Sequence, residues 1–188
     1  MDAQQSVKII EQMLKESKRH LLRNSFYFIF WACLLIPTAL AEFFLMQKGF
    51  ERSWMVWYFA GPIGGIVSYL YGARQGKKAE VLPTAARIVG FVWGAAGVCI
   101  IFSIAYAIFL KQPPHAMILM ISGAATFVTG GISKFKPFVW GGIALAIGAV
   151  VTAFFVEAEY HSLVFAISLL VGYLIPGLRS RKIEHEQA

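Results

Sequence analysis

The chain has 188 residues, 58% of them hydrophobic and only 14% charged, against about 25% charged in ordinary soluble domains. That composition excludes a disordered chain and argues against a soluble one. A net charge of +7 would suit nucleic acid in a soluble protein, so what the charge means depends on where it lies.

Residues 1–24 contain no membrane span. Val7, Ile10, Met13, Leu14, Leu21 and Leu22 fall mostly on one helical face, flanked by Lys8, Lys15, Lys18 and Arg19. This pattern predicts an amphipathic helix lying on the inner membrane interface, with a partner helix as the alternative surface. Six apolar stretches follow, at 25–46, 54–72, 88–110, 115–133, 137–155 and 160–177. A helix rises ~1.5 Å per residue and the hydrocarbon core is ~30 Å thick, so each stretch meets or nearly meets the length of a span. Strands of a membrane barrel would be about half as long and would alternate. The expected fold is an all-α integral membrane protein. Six transmembrane helices form three hairpins across 25–178, with a short charged cytoplasmic tail at 179–188. Ala39-Leu40-Ala41 resembles a signal-peptidase site, but the apolar run continues through Phe43, Phe44, Leu45 and Met46. We read a first membrane helix there, not a removed signal.

Loop charge sets the orientation. With the N-terminus inside, the outer loops hold Lys48, Arg52 and Lys111, and every other Lys and Arg lies on the inner side. This positive-inside pattern predicts a bacterial inner-membrane protein with both termini in the cytoplasm. It also assigns the basic charge to anionic inner-leaflet lipid, so no nucleic-acid partner is needed. Trp31, Trp93 and Trp140 open helices 1, 3 and 5, and Trp54 and Trp57 open helix 2. Those positions suit an interfacial aromatic belt. Phe30-Trp31-Ala32, Val92-Trp93-Gly94 and Val139-Trp140-Gly141 also form a faint internal repeat. Cys33 and Cys99 read as small buried hydrophobes.

Glu42 is the only acidic residue inside an apolar span. A carboxylate in hydrocarbon is costly and marks a functional candidate, suited to proton coupling if it faces the bundle interior. Its depth, near the outer end of helix 1, favours the plainer expectation that it reaches headgroups or water. His115, Glu157, Glu159 and His161 form a candidate outer-face polar cluster, but their spacing matches no zinc motif. Gly61-Pro62-Ile63-Gly64-Gly65 interrupts helix 2 and is a candidate broken-helix lining, through Gly61, Pro62, Gly64 and Gly65. The small residues of helices 3 to 5, including the Gly90/Gly94 pair, predict close helix packing. Pro176-Gly177 reads as the stop of helix 6. The chain has no GxSxG, HExxH or Walker loop and no paired acidic motif, so neither an enzyme, a cofactor nor a metal is expected.

Glu11 to Met13, Ser25-Phe26-Tyr27-Phe28, Gly130-Gly131-Ile132 and Gly172-Tyr173-Leu174-Ile175-Pro176-Gly177 resemble an uncharacterised bacterial family. Its members are small six-helix inner-membrane proteins with a basic amphipathic N-terminus. The resemblance implies the architecture and supplies no activity or site. In size and helix count the chain is also similar to the substrate-binding subunits of energy-coupling-factor vitamin transporters. Two functions are then expected. The favoured one is a non-enzymatic accessory or interaction subunit that packs against a membrane-protein partner. The other is a small solute or ion transporter or channel, as a homo-oligomer, with proton coupling through Glu42.

Overall fold

The computed structural model of the chain describes residues 25–76 and 84–186. The expected amphipathic helix at 1–24 and the basic loop at 77–83 lie outside the described residues. Every regular element among the described residues is helical. They are α1 (Ser25–Gln47), a 3-10 turn (Ser53–Val56), α2 (Trp57–Gly76), α3 (Thr84–Leu110), α4 (His115–Ser133) and α5 (Lys136–Phe154). A second 3-10 turn (Ala158–Tyr160) then leads into α6 (His161–Leu169), a π-helical segment (Leu170–Leu174) and α7 (Ile175–Glu186).

Among the described residues, five stretches are long and apolar enough to cross a membrane: Ser25–Gln47, Thr84–Leu110, His115–Ser133, Lys136–Phe154 and Ala158–Ile183. α2 is the predicted span not among them. Its glycines, its tyrosines, Pro62 and Arg74 dilute the apolar character of its 20 residues.

Two expected breaks are continuous helix. α2 runs through Gly61–Gly65 without interruption. Pro62 lies in its second turn, where a proline deletes one backbone donor and leaves the rest of the ladder intact. Gly61, Pro62 and Gly65 face outward, so the predicted lining is not formed. Only Gly64 is enclosed, against the ring of Trp31. The second expected break, at Pro176-Gly177, is absorbed by the π-helical segment just before it. Pro176 has no N–H to give the Gly172 carbonyl, and the wider π turn accommodates the mismatch. That carbonyl faces α5, where a Cβ on Gly141 would lie 2.5 Å from it. Such close backbone approach suits Cα–H···O contacts. Residues 179–186 of the expected charged tail are therefore helix. Ser180 is fully buried, and Ile183 packs against the core.

The core joins Phe28, Ala32 and Ala39 of α1 to Leu119 of α4 and to Phe138, Leu145 and Ala149 of α5. Phe135 between α4 and α5, Phe165, Ala166 and Leu169 of α6, and Tyr173 of the π segment complete it. α2 and α3 stand outside this inner bundle, resting chiefly on α1 and α4 respectively. α2 lies antiparallel along α1. Trp57 meets Glu42 at one end, Ser68 meets Trp31 in the middle, and the Tyr71 and Phe26 rings stack 3.9 Å apart at the other.

Glycine use divides the molecule. A Cβ on Gly142 would lie 2.5 Å from the Phe127 nitrogen, and one on Gly130 would lie 2.5 Å from the Val139 nitrogen. These residues let the α4 and α5 backbones touch. Among the described residues, no heavy atom lies within 4 Å of such a Cβ at Gly61, Gly65, Gly90, Gly94 or Gly97. The expected close packing thus holds for α4 and α5 and fails for α3. Cys33 and Cys99 are exposed on the bundle surface, not buried.

Three helices end in the same way. Gly49, Lys111 and Lys134 follow α1, α3 and α4 with φ of 77°, 55° and 51°. Behind each, the next residue's N–H bonds back to the last turn: Phe50 to Leu45, Gln112 to Ala107, and Phe135 to Gly130. This is the Schellman closure, which satisfies carbonyls that a helix end otherwise strands.

Candidate functional site

Glu42 is 6% exposed and lies inside the bundle, which corrects the expectation that it reaches the interface. One of its oxygens, Oε2, meets three side chains from three other helices. Trp57 Nε1 of α2 donates at 2.8 Å, Ser162 Oγ of α6 donates at 2.5 Å, and His115 Nε2 of α4 stands at 3.1 Å. An indole N–H can only donate, and an ionised carboxylate can only accept. This fits an anionic Glu42 surrounded by donors.

The chain places these donors at helix starts. Trp57 and His115 are the first residues of α2 and α4, and Ser162 is the second of α6. Side chains from the starts of three helices therefore converge on the carboxylate. Glu42 lies close to the C-terminal end of α1, which brings all four elements to one end of the molecule. An aromatic wall closes the site inward. Phe165 lies 5.2 Å from the His115 ring and 5.7 Å from the Trp57 ring, centroid to centroid.

The predicted outer cluster separates into two parts. His115 is 4% exposed and bonded to Glu42. His161 lies beside it, with ring centroids 6.5 Å apart, and its Nε2 bonds the Val156 carbonyl at 3.1 Å. Glu157 and Glu159 remain exposed on the connecting segment. Among the described residues, no three His, Cys, Asp or Glu side chains gather as a metal-binding group. The sequence marks neither Trp57 nor Ser162 as a site residue. Trp57 looked like a belt residue, and a lone serine at a helix start carries no signal of its own.

The tryptophans divide similarly. Trp31 Nε1 donates to Ser68 Oγ, Trp93 Nε1 donates to Thr129 Oγ1, and Trp57 serves Glu42, so three of the expected belt residues fasten neighbouring helices instead. Trp54 and Trp140 are exposed, as an interfacial position requires. Deeper in the bundle, the Tyr173 hydroxyl bonds with Ser122 and Thr126. Thr126, Thr129, Thr152 and Ser168 return their hydroxyls to carbonyls one turn back. Compared with known protein families, curated proteins and solved structures, the chain matches none.

Proposed function

We propose that the chain is a six-span inner-membrane protein, with both termini in the cytoplasm, that serves as a non-enzymatic interaction subunit of a membrane assembly. The antiparallel run of α2 along α1 supports the sixth crossing, because a helix matched to a full span has the same reach. Charge supports the orientation. Arg74, Arg87, Lys134, Lys136, Arg179, Arg181 and Lys182 lie at the end of the bundle opposite the Glu42 site, beside anionic lipid. The motif resemblance to small six-helix inner-membrane proteins agrees with this architecture.

The observation that carries the interaction reading is the vacant glycine face of α3. A glycine costs a helix roughly 0.5–1 kcal/mol relative to alanine. In α4 and α5 that cost is offset by backbone contact, whereas a Cβ at Gly90, Gly94 or Gly97 would meet no heavy atom of the described residues within 4 Å. A second helix from another polypeptide would use them as α4 and α5 use theirs. Native mass spectrometry of the protein released gently from its own membrane tests this. The expected result is a stoichiometric second polypeptide that is lost in Gly94→Leu while the variant's melting temperature holds. A bare monomer in both forms overturns the reading.

The buried Glu42–His115 pair favours a second reading, proton-linked transport of a small solute or ion. Under it, Glu42→Gln abolishes transport in a reconstituted vesicle. Under the interaction reading, the same variant keeps its partner.

A further inference from the structure

Glu42 carries its hydrogen bonds on one side only. Trp57, Ser162 and His115 all meet Oε2, and Oε1 accepts from none of the described residues. Yet Oε1 is not sealed in. Among the described residues, the wholly buried side-chain polar atoms without a partner are His115 Nδ1 and His161 Nδ1. Oε1 thus reaches the surface from a side chain that is otherwise enclosed, at 8% exposure. Its charge also lacks a permanent counterpart. Among the described residues the ion-pair partner of Glu42 is His115, a cation only when protonated, and not Lys48, Arg52 or Lys111 of the outer loops. A carboxylate this enclosed is costly to leave unmatched. Its open oxygen therefore favours a cationic hydrogen-bond donor from outside the chain.

We propose that Glu42 Oε1 binds a primary ammonium group at the outer end of the bundle, carried by a lipid headgroup or by a free amine. The surroundings select this class of cation. A metal ion needs several oxygen or nitrogen ligands, and among the described residues no three His, Cys, Asp or Glu side chains gather. An ammonium group needs one strong acceptor and gains from nearby rings. The Trp57 ring lies 5.7 Å from that of His115, and the ring of Phe43, next in the chain to Glu42, lies 6.1 Å from that of Tyr160. The Tyr160 contact also brings up the segment that carries the exposed Glu157 and Glu159, so the approach to Glu42 is acidic as well as aromatic. Depth agrees. Glu42 stands ~26 Å along α1 from Ser25, at ~1.5 Å per residue, which is close to the edge of a ~30 Å hydrocarbon core. A lipid amine at that edge and a soluble amine above it both reach the same oxygen. The site goes beyond both readings of function, since neither requires a bound amine.

The Trp57 indole N–H bonds the same carboxylate and reports on it. The test uses the full chain, 15N-labelled at tryptophan, in phosphatidylglycerol nanodiscs into which phosphatidylethanolamine or phosphatidylcholine is titrated. These two lipids carry the same net charge and differ in whether the headgroup nitrogen has hydrogens to donate. The Trp57 resonance is expected to move at a mole fraction of phosphatidylethanolamine at least about tenfold below that needed of phosphatidylcholine, and Glu42→Gln is expected to remove the difference. Ethanolamine added to phosphatidylglycerol nanodiscs separates the sources. A response to it assigns the site to free amines, and a response to phosphatidylethanolamine alone assigns it to the headgroup. Equal responses to the two lipids with none to ethanolamine overturn the proposal, as does a preference for the amine that survives Glu42→Gln. Should that variant not fold, the wild-type comparison of the two lipids and ethanolamine decides.

Discussion

Glu42 shows how one side chain can serve as a fastener at the end of a bundle. It draws one donor each from α2, α4 and α6, so removing it strands an indole N–H, an imidazole N–H and a hydroxyl together. Each buried donor left unpaired costs about 1–3 kcal/mol, so Glu42→Ala, which strands three of them, should lower the melting temperature sharply. Glu42→Gln keeps an acceptor oxygen and should cost about 1–3 kcal/mol. Thermal unfolding in detergent, followed by circular dichroism, would rank the two. Equal and small effects would mean that the site does not hold the helices. That Glu42 mattered was legible from its being the only carboxylate in an apolar run. Which way it faced was not. Depth along a helix is a one-dimensional quantity, whereas burial depends on helices that begin dozens of residues later.

Helices were legible because apolar runs of span length have few other solutions. The bounds expected for α4 coincide with those found, at 115–133. The misreadings cluster at proline and glycine. Pro62 and Pro176 signal helix ends in water, where a stranded carbonyl simply turns to solvent. Here a π turn and the facing backbone of α5 take that role, and no local pattern announces it. The glycines of α4 and α5 and those of α3 look alike in sequence but differ in their contacts. Gly142→Ala should therefore destabilise by about 1–3 kcal/mol through the clash with the Phe127 backbone. Gly94→Ala meets open space and should be neutral or gain up to about 1 kcal/mol in helix propensity. Paired melts of the two variants check this, and a loss at Gly94 in the isolated protein would place α3 against a helix other than α4.

At the scale of the whole molecule, an inner bundle of α1, α4, α5, α6 and α7 carries the packing, and α2 and α3 form its outer faces. The faint Trp repeat acquires content here. Trp31 reaches Ser68 and Trp93 reaches Thr129, across 37 and 36 residues, so two of the three units share one fastening. The third unit lacks it, since Trp140 is exposed. The sixth crossing turns on α2, which lies along α1 as a span would but is less apolar than its neighbours. If α2 crosses, the Glu42 site and the Arg74 end of α2 lie on opposite sides of the membrane. The direct measurement is labelling of single cysteines, in a background lacking Cys33 and Cys99, with a membrane-impermeant maleimide on spheroplasts of an expressing bacterium. With α2 crossing, Glu51→Cys is labelled on intact spheroplasts and Arg74→Cys only after lysis. Labelling of both from the same side would contradict the sixth crossing and the orientation built on it.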